Sequence, residues 1–254
     1  MAISKNTIKF VKSLQLKKFR QKYDIFVVEG DKMAREMLSQ SAIVIDQLFC
    51  IEAWATANAG LLRNRNDIEM TIVLERELAQ LSSLSTPNQV LLLAQIPKFK
   101  WPEPAEFTRA LYIDGIQDPG NMGTILRIAD WFGIPCVFCA EDCVDVFNPK
   151  VVQASMGAFL RVQTTEIALQ ELHNKYESTQ VIGAFMHGGS AFEFEWPANG
   201  ILVIGNEGAG IRPGHESLIN WRVSIPKGPG AGAESLNAAV ATGILCGTWV
   251  RVRG

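Results

Sequence analysis

The sequence has no long hydrophobic run. No stretch of its 254 residues reaches the roughly 18 uncharged apolar residues that a membrane-spanning helix needs. The first ten residues also lack the apolar segment of a secretory signal peptide. A content of 48% hydrophobic and 20% charged residues is typical of a globular protein. We therefore expect a soluble cytoplasmic protein without a membrane partner.

Cysteine is scarce, and its positions exclude a disulfide framework. The odd number and wide scatter argue against paired thiols in a small secreted domain. The spacing of Cys136, Cys139 and Cys143 is compatible with metal binding, but the first two are expected on one strand, where they face opposite sides. No second pair completes a site, so we expect structural cysteines and no metal. The five are Cys50, Cys136, Cys139, Cys143 and Cys246.

Acidic residues are absent from residues 1–22, which contain seven basic ones. Because the whole chain has a net charge of −2, the remaining 232 residues carry −9. This division favours a basic arm that contacts a polyanion. The alternative is a solvated helix face, since Ile8, Val11 and Leu14 recur at helical spacing. Both interpretations can hold together.

The first half of the chain alternates short apolar runs with helical patterns. Strands are predicted at 25–28, 47–51, 70–74 and 90–96, and helices in 31–39, 52–62 and 75–83. Three prolines then fall within residues 97–107, which predicts an extended linker because proline removes amide donors and disfavours helix before it. We expect an N-terminal domain of residues 1–98, a linker of 99–107 and a second domain of 108–254.

The second half alternates again and predicts an α/β domain with a mainly parallel sheet. Runs such as LVIG are apolar throughout, as in strands covered on both faces. Strands are predicted at 110–114, 135–139, 181–185, 201–205 and 222–225. Helices are predicted at 121–132, 148–157, 167–177 and 234–250. Ligands of such sheets bind beyond the carboxyl ends of the strands, so the loops there are candidate sites.

The first candidate loop reads DPGNMGTILRIADWFG, residues 118–133. We expect a helix that opens with Asn121, with free N–H groups at 120–123 and Arg127 on the same helix. A guanidinium carries five donors and suits a phosphate or a developing oxyanion. The alternative is a surface arginine on an amphipathic helix.

Two glycine-rich loops follow later strands. Residues 205–210 read GNEGAG, but the spacing differs from G-x-G-x-x-G and the charge of Glu207 would repel a pyrophosphate. A nicotinamide-dependent oxidoreductase is therefore disfavoured, whereas S-adenosylmethionine, which has no phosphate, is compatible with the loop. Residues 225–237 read IPKGPGAGAESLN, in which Glu234 or Ser235 is expected to begin the last helix, with Asn237 near its N-terminus.

Together these segments resemble the SpoU (TrmH-like) branch of the SPOUT RNA 2′-O-ribose methyltransferases. The matching text is DPGNMGTILRIADWFG, ILVIGNEGAGI and SIPKGPGAGAESLNAAVATGI, with FNPKVVQASMGAFLR as the connecting region. The N-terminal KKFRQKYDIFVVEG is similar, more weakly, to the substrate-binding domain often fused ahead of this one. The resemblance implies a small α/β substrate-binding domain followed by an α/β trefoil-knot methyltransferase domain, and a homodimer with active sites at the subunit interface.

The resemblance also assigns roles to residues. It implies a catalytic set of Asn121, Arg127, Glu207, Ser235 and Asn237. Binding of S-adenosylmethionine is implied for Gly205, Glu207, Ile225, Ser235 and Leu236. Contacts to RNA are expected from Lys17, Lys18, Arg20 and Arg127. Two departures from the family pattern are a loop 227–233 that is about two residues longer than usual and Gln153 where an arginine is common.

The implied activity is methylation of a ribose 2′-hydroxyl with S-adenosylmethionine as methyl donor and no metal. The separate N-terminal domain favours ribosomal RNA as the substrate. Two alternatives stay open: a transfer RNA 2′-O-methyltransferase, and a non-catalytic RNA-binding protein of the same fold. The combination of Asn121, Arg127, Glu207 and Asn237 speaks against the non-catalytic alternative.

Overall fold

The structure is a computed structural model that describes residues 3–39, 43–63, 65–104 and 106–250. The chain forms two compact units. The first consists of the residues up to Lys98 together with Asp145–Leu160, and the second of Phe99–Val144 together with the residues from Arg161 onward. No helix in the described part of the chain is long and apolar enough to cross a membrane.

The first unit is a mixed sheet of four strands with helices. The strands follow the order β1-β4-β2-β3, in which β4 pairs antiparallel with both of its neighbours and β2 pairs parallel with β3. The elements are α1 (Lys5–Ser13), α2 (Lys17–Tyr23), β1 (Ile25–Glu29), α3 (Asp31–Ser39), β2 (Ile45–Cys50), α4 (Glu52–Ala57), α5 (Ala59–Leu62), β3 (Glu69–Ile72), α6 (Glu75–Leu81) and β4 (Val90–Gln95). Strands β1 and β4 are almost wholly buried, as their continuous apolar runs require.

The segment Asp145–Leu160 completes the first unit, although the sequence analysis assigned it to the domain 108–254. The rings of Phe147 and Phe159 lie 4.8 and 5.6 Å from that of Phe26 on β1. These aromatic contacts join residues far apart in sequence, so no local sequence pattern predicts them. The predicted limits of 1–98, 99–107 and 108–254 remain predictions.

The second unit is built on a six-stranded sheet in which every pair is parallel. The order is β10-β8-β9-β5-β6-β7. With α8 (Pro149–Ser155) in the first unit, the second unit contains β5 (Arg109–Asp114), α7 (Pro119–Trp131), β6 (Cys136–Cys139), β7 (Gln163–Glu166), α9 (Leu169–Lys175), β8 (Val181–Ser190), β9 (Gly200–Gly205), β10 (Trp221–Ser224) and α10 (Ala238–Trp249). The predicted parallel α/β sheet is confirmed, and the threading of the C-terminal segment stays a prediction of the family resemblance.

The order of the strands places two of the candidate loops side by side. From β5 the chain proceeds to β6 on one side, while β9 pairs with β5 on the other side. In this register Asp114 and Gly205, the last residues of β5 and β9, are direct partners. Such a reversal of strand order opens a crevice beyond the carboxyl ends of parallel strands. The loops after β5 and β9 therefore leave the sheet at the same point.

Three expectations about the second unit need correction. Strand β7 was not predicted, because its sequence QTTE is polar and only half-buried and carries no hydrophobic signal. Helix α7 begins at Pro119 rather than at 121, since Asp118 caps it and proline fits the first helical position. Helix α10 begins at Ala238 rather than at 234.

Candidate active site

The start of α7 is organised by Asp118. Its side-chain oxygen accepts a hydrogen bond from the Asn121 amide at 2.7 Å, and its main-chain oxygen accepts one from Met122 at 3.1 Å. The expectation of free N–H groups at 120–123 is therefore wrong for these two residues, because the capping aspartate takes their hydrogen bonds. The side chain of Asn121 lies in the same first turn of α7.

The Asn121 side chain joins the three segments that the sequence singled out. Its Nδ2 donates to Oε1 of Glu207 at 2.6 Å, and its Oδ1 accepts from Nδ2 of Asn237 at 2.8 Å. The partners lie 86 and 116 residues away in the chain. One amide thus uses both its donor and its acceptor to link the loop after β9 and the start of α10 to α7.

Asn237 has a second role as the N-cap of α10. Its Oδ1 accepts hydrogen bonds from the N–H groups of Ala239 at 3.0 Å and Val240 at 3.2 Å. This occupies its acceptor, so only its Nδ2 is left to donate to Asn121. The position of Asn237 is consequently fixed from two sides.

The loop after β9 folds back tightly on the strand end. Asn206 and Gly210 exchange two backbone hydrogen bonds of 2.9 and 3.0 Å. A Cβ on Gly205 would lie 2.2 Å from the carbonyl carbon of Gly210, which no side chain can tolerate. Gly205 was expected to line a cofactor site, and the structure shows a further reason for a glycine there: the close approach of its own loop.

Asn206 holds this loop in place and was missed by the sequence analysis. Its Nδ2 donates to the carbonyl oxygen of Gly115 at 2.7 Å, and its Oδ1 accepts from Gly208 and Ala209 at 2.9 and 3.0 Å. An asparagine that accepts from N–H groups two and three residues ahead forms a local turn. The signal was thus present in the letters NEGA, directly after the strand. The turn presents Glu207 toward Asn121.

A buried carboxylate at the end of β5 supports the same loop. The side chain of Asp114 is fully buried, and its Oδ1 lies 2.6 Å from Nε of Arg212, a close ion pair without hydrogen-bond alignment. Its Oδ2 accepts from the Arg212 amide and contacts Nδ1 of His215, both at 3.0 Å. Arg212 also donates to Asp142 at 2.7 Å. This network was not predicted, because its only signal in the sequence is an ionisable residue that ends the apolar run ALYID.

Tyr112, two residues before Asp114, is fully buried at the end of the strand. Burial raises the pKa of Tyr112 far above its ordinary value, and the nearby charge of Asp114 raises it further. Its hydroxyl donates to the carbonyl oxygen of Ile167 at 3.2 Å. Low local polarity strengthens the ion pair of Asp114 with Arg212, so the loop that follows is firmly anchored.

Arg127 is exposed on α7, and its side chain has no ion pair or hydrogen bond with any residue that the structure describes. Thr124, one turn nearer Asn121, is also exposed, and its hydroxyl donates to the carbonyl oxygen of Gly120. A guanidinium without a protein partner keeps all five donors available to a ligand. The structure thus places Arg127 on the helix that carries Asn121.

The loop between β10 and α10 is largely exposed. Lys227 closes part of it by donating to the carbonyl oxygen of Ala233 at 2.7 Å. Ile225 is half-buried, while Ser235 and Leu236 are exposed. Ser235 makes no hydrogen bond within the described residues and does not begin α10, because Asn237 is the residue that caps the helix. The structure therefore brings Asn237, but not Ser235, into contact with Asn121.

The residues expected to contact RNA lie on α2 in the first unit. Lys18 is exposed and Lys17 is half-buried. Arg20 needs correction: only 1% of it is exposed, its guanidinium pairs with Asp145, and its Nη1 donates to the carbonyl oxygen of Leu14 at 2.7 Å. It is committed to the fold of the first unit and is not available to a phosphate. No sequence pattern distinguishes it from the lysines beside it.

All five cysteines are buried, and none of them forms a disulfide. Cys136 and Cys139 lie on β6, and the thiol of Cys143 donates to the carbonyl oxygen of Ile113 at 3.2 Å. Among the residues that the structure describes, no three His, Cys, Asp or Glu side chains form a group able to hold a metal ion.

Comparison with known proteins identifies both parts of the chain. The SpoU rRNA Methylase family matches residues 108–247, and the MRM3-like substrate binding domain matches residues 5–92. The chain is 29% identical over 241 residues to the 23S rRNA (guanosine(2553)-2′-O)-methyltransferase RlmP of Bacillus subtilis, which covers 94% of this chain and 93% of that protein.

Solved structures agree with these matches. A protein of the TrmH family from Porphyromonas gingivalis superimposes with a TM-score of 0.86 at 39% identity, over 99% of each chain. The SpoU methyltransferase AviRb from Streptomyces viridochromogenes, solved in complex with AdoMet, has the same fold, with a TM-score of 0.85 at 24% identity over 98% of each chain. The chain belongs to the SpoU rRNA methylase family, with an MRM3-like substrate-binding domain ahead of the methylase domain.

Proposed function

We propose that this protein transfers a methyl group from S-adenosylmethionine to a ribose 2′-hydroxyl of ribosomal RNA. The observation that carries the proposal is the side-chain amide of Asn121, which forms hydrogen bonds with both Glu207 and Asn237. Asn121 lies on α7, the helix that also bears Arg127. Family membership and the 23S rRNA activity named for the B. subtilis relative support the same reaction.

The loops after β9 and β10 fit S-adenosylmethionine better than a nucleotide with a polyphosphate. Glu207 places a carboxylate at the loop after β9, where it would repel phosphate and tolerate a positive sulfonium or a ribose hydroxyl. Around Gly228, Gly230 and Gly232 the space is open, so backbone N–H and C=O groups are accessible to a ligand. Backbone near Gly205, Ile225 and Leu236 and the side chain of Glu207 would hold the cofactor, with Ser235 beside them. When bound, the cofactor supplies an electrophilic methyl group.

Arg127 acts on the ribose oxygen in this proposal. A ribose hydroxyl is a weak acid, and a nearby cation that stabilises its alkoxide lowers the barrier. Arginine holds its proton too firmly to act readily as the base, so we assign it electrostatic activation of the hydroxyl, whose proton is released to solvent water, or binding of the adjacent phosphate. Asn121 and Asn237 orient the nucleotide and hold the loops, and Ser235 is assigned a hydrogen bond to Arg127 or to the substrate.

A homodimer is part of the proposal. Helix α10 is mostly apolar and carries no charged residue (AAVATGILCGTW), yet Val240 is 52% exposed, and Trp131 at the end of α7 is 84% exposed. Exposed apolar residues on adjacent helices are typical of a protein interface. We expect a second copy of the chain to cover them, which sedimentation velocity would test.

The substrate assignment is tested by methylating RNA in vitro with isotopically labelled S-adenosylmethionine. We expect the label on a ribose 2′-oxygen of 23S rRNA, read by nuclease digestion and mass spectrometry. Label found only in transfer RNA would favour the transfer RNA methyltransferase. Binding of RNA without any S-adenosylmethionine binding in calorimetry would favour the non-catalytic alternative.

A further inference from the structure

Five exposed lysines lie on α1 and α2 of the first unit: Lys5, Lys9, Lys12, Lys18 and Lys22. The first three are spaced at i, i+4 and i+7 and so lie on one side of α1. None of the five has an ion pair with a residue that the structure describes, and no acidic residue occurs between residues 3 and 23. Within the described residues, no ion pair therefore neutralises the positive charge of these five lysines.

Three aromatic rings lie among these lysines. The Phe10 and Tyr23 rings meet edge to face at 5.1 Å, and the Phe19 and Tyr23 rings are parallel within 11° at 6.3 Å. Tyr23 is 41% exposed, and the two phenylalanines are half-buried. These rings are partly accessible, whereas Val11, Leu14 and Arg20 of the same segment are buried.

Cations and rings alternate at close range. The Nζ of Lys18 lies 5.0 Å from the centre of the Phe19 ring, and the Nζ of Lys22 lies 5.2 Å from the centre of the Tyr23 ring. Exposed pairs of this kind stabilise a helix only weakly. The same arrangement gives a ligand both a flat apolar surface and a positive charge within one residue of each other.

The chemistry of this surface discriminates between kinds of nucleic acid. A duplex hides the flat faces of its bases and presents phosphates and hydroxyls, for which lysines alone suffice. Unpaired nucleotides present their base faces, which stack on aromatic side chains, and their phosphates, which lysines bind. The exposed ring of Tyr23 favours unpaired nucleotides.

We propose that this surface, the α1–α2 face (Lys5, Lys9, Phe10, Lys12, Lys18, Phe19, Lys22 and Tyr23), binds single-stranded nucleotides of the RNA substrate. The Tyr23 ring stacks on a base, and the lysines bind the adjoining phosphates. This inference rests on the proposed function, because it takes RNA as the substrate. It replaces the expected contact from the buried Arg20 with contacts from residues that are exposed.

The test measures binding of the full-length protein to two fluorescent RNA probes, a short oligoadenylate and a blunt duplex of equal length, at several salt concentrations. Tyr23→Ala is expected to weaken oligoadenylate binding about fivefold or more, the loss that corresponds to about 1 kcal/mol or more for one stacked base. Duplex binding and the salt dependence should stay as in the wild type. Tyr23→Phe, which keeps the ring, should restore oligoadenylate binding.

The lysines are tested separately. Replacing Lys5, Lys9 and Lys12 together by glutamine should lower the slope of log affinity against log salt by about 2, since each single-strand phosphate contact contributes roughly 0.7. Arg76→Gln is the matched control, because Arg76 is an exposed cation of the same unit on α6, outside the face. Equal loss in the control would overturn the proposal, as would an unchanged Tyr23→Ala affinity or an equal loss for both probes.

Failure of this inference and failure of the proposed function give different results. If the wild type methylates RNA and Tyr23→Ala binds oligoadenylate normally, the role proposed for the α1–α2 face is wrong and the proposed function stands. If Tyr23→Ala loses oligoadenylate binding while the wild type methylates no RNA, the face stands and the function is wrong. If both are right, Tyr23→Ala raises KM for RNA and leaves kcat and S-adenosylmethionine affinity unchanged.

Discussion

The side-chain amide of Asn121 donates to the carboxylate of Glu207 at 2.6 Å, across 86 residues of sequence. The same side chain accepts from Asn237, so an asparagine in the first turn of α7 fixes the loop after β9 and the start of α10 at once. Asn121, Glu207 and Asn237 therefore have different roles in one hydrogen-bonded group, and substitutions can separate these roles.

Changing Asn121 to aspartate should be more harmful than changing it to alanine. Aspartate would set a second carboxylate against Glu207 and remove the donor, whereas alanine only removes the link. We expect both variants to lower methyl transfer and Asn121→Asp to weaken S-adenosylmethionine binding more, as measured by calorimetry. Equal affinities in the two variants would show that Glu207 does not depend on this contact.

Two substitutions of Asn237 distinguish its role as the cap of α10 from its hydrogen bond to Asn121. Asn237→Ala loses the cap of α10 and should lower the free energy of unfolding by about 1 kcal/mol. Asn237→Asp keeps an oxygen for the N–H groups of Ala239 and Val240 but cannot donate to Asn121. We therefore expect urea denaturation to find the aspartate variant as stable as the wild type, and kinetic assays to find both variants slow. An active Asn237→Asp variant would reduce the residue to a cap.

Asp114 should be far more important to stability than its neighbour Asp142. Removing the charge of Asp114 leaves Arg212 without its buried partner, and breaking a buried pair costs about 3–5 kcal/mol; we expect the lower end for Asp114→Asn because Arg212 is partly exposed. Asp142, whose side chain is 52% exposed, pairs with the same guanidinium at the surface, so Asp142→Asn should cost less than about 1 kcal/mol. Similar losses in thermal unfolding of the two variants would contradict the role given to the buried carboxylate.

Buried thiols make the protein less stable in alkali. Burial raises the pKa of Cys136 to about 11 and that of Cys246 to about 12, above the value of about 8.5 in an unfolded chain. Above about pH 8.5 the thiols of the unfolded chain lose their protons, whereas the buried thiols of the folded chain keep theirs. The free energy of unfolding should therefore fall as pH rises from about 8.5 toward 11–12.

Urea denaturation across this range measures the effect of the thiols. Cys246→Ala removes one titrating group, so its stability should depend less steeply on pH than that of the wild type. If the two profiles run parallel, Cys246 does not titrate differently in the folded and unfolded states.

The centre of the sheet and the site could be predicted because their signals are local. Strands β5 and β9 each contain a continuous apolar run, ALYI and ILVI, and each is followed at once by a loop rich in glycine or in polar side chains. Ligands of parallel sheets bind beyond the carboxyl ends of the strands, which made the loops there the candidate sites. Asn121, Glu207 and Asn237 meet.

The remainder depended on contacts that no local pattern contains. Arg20 looked like the lysines around it, and only its pairing with Asp145, 125 residues away, shows that it is structural. Asp114 and Arg212 are 98 residues apart and became a pair only through the fold. Strand β7 is held by its neighbour β6 in spite of a polar sequence. Helix α10 begins directly after Asn237, whose side chain caps it, and not at Ser235, two residues earlier.

Arg127, whose side chain has no partner among the described residues, activates the ribose oxygen beside the Asn121 link in our proposal. The single-turnover rate of methyl transfer to RNA at saturating S-adenosylmethionine tests this role for the wild type, Arg127→Ala and Arg127→Lys. We expect a loss of about 10²–10³-fold for alanine, a smaller loss for lysine, which keeps the charge, and unchanged S-adenosylmethionine affinity in both. A near-normal rate for Arg127→Ala would contradict this role.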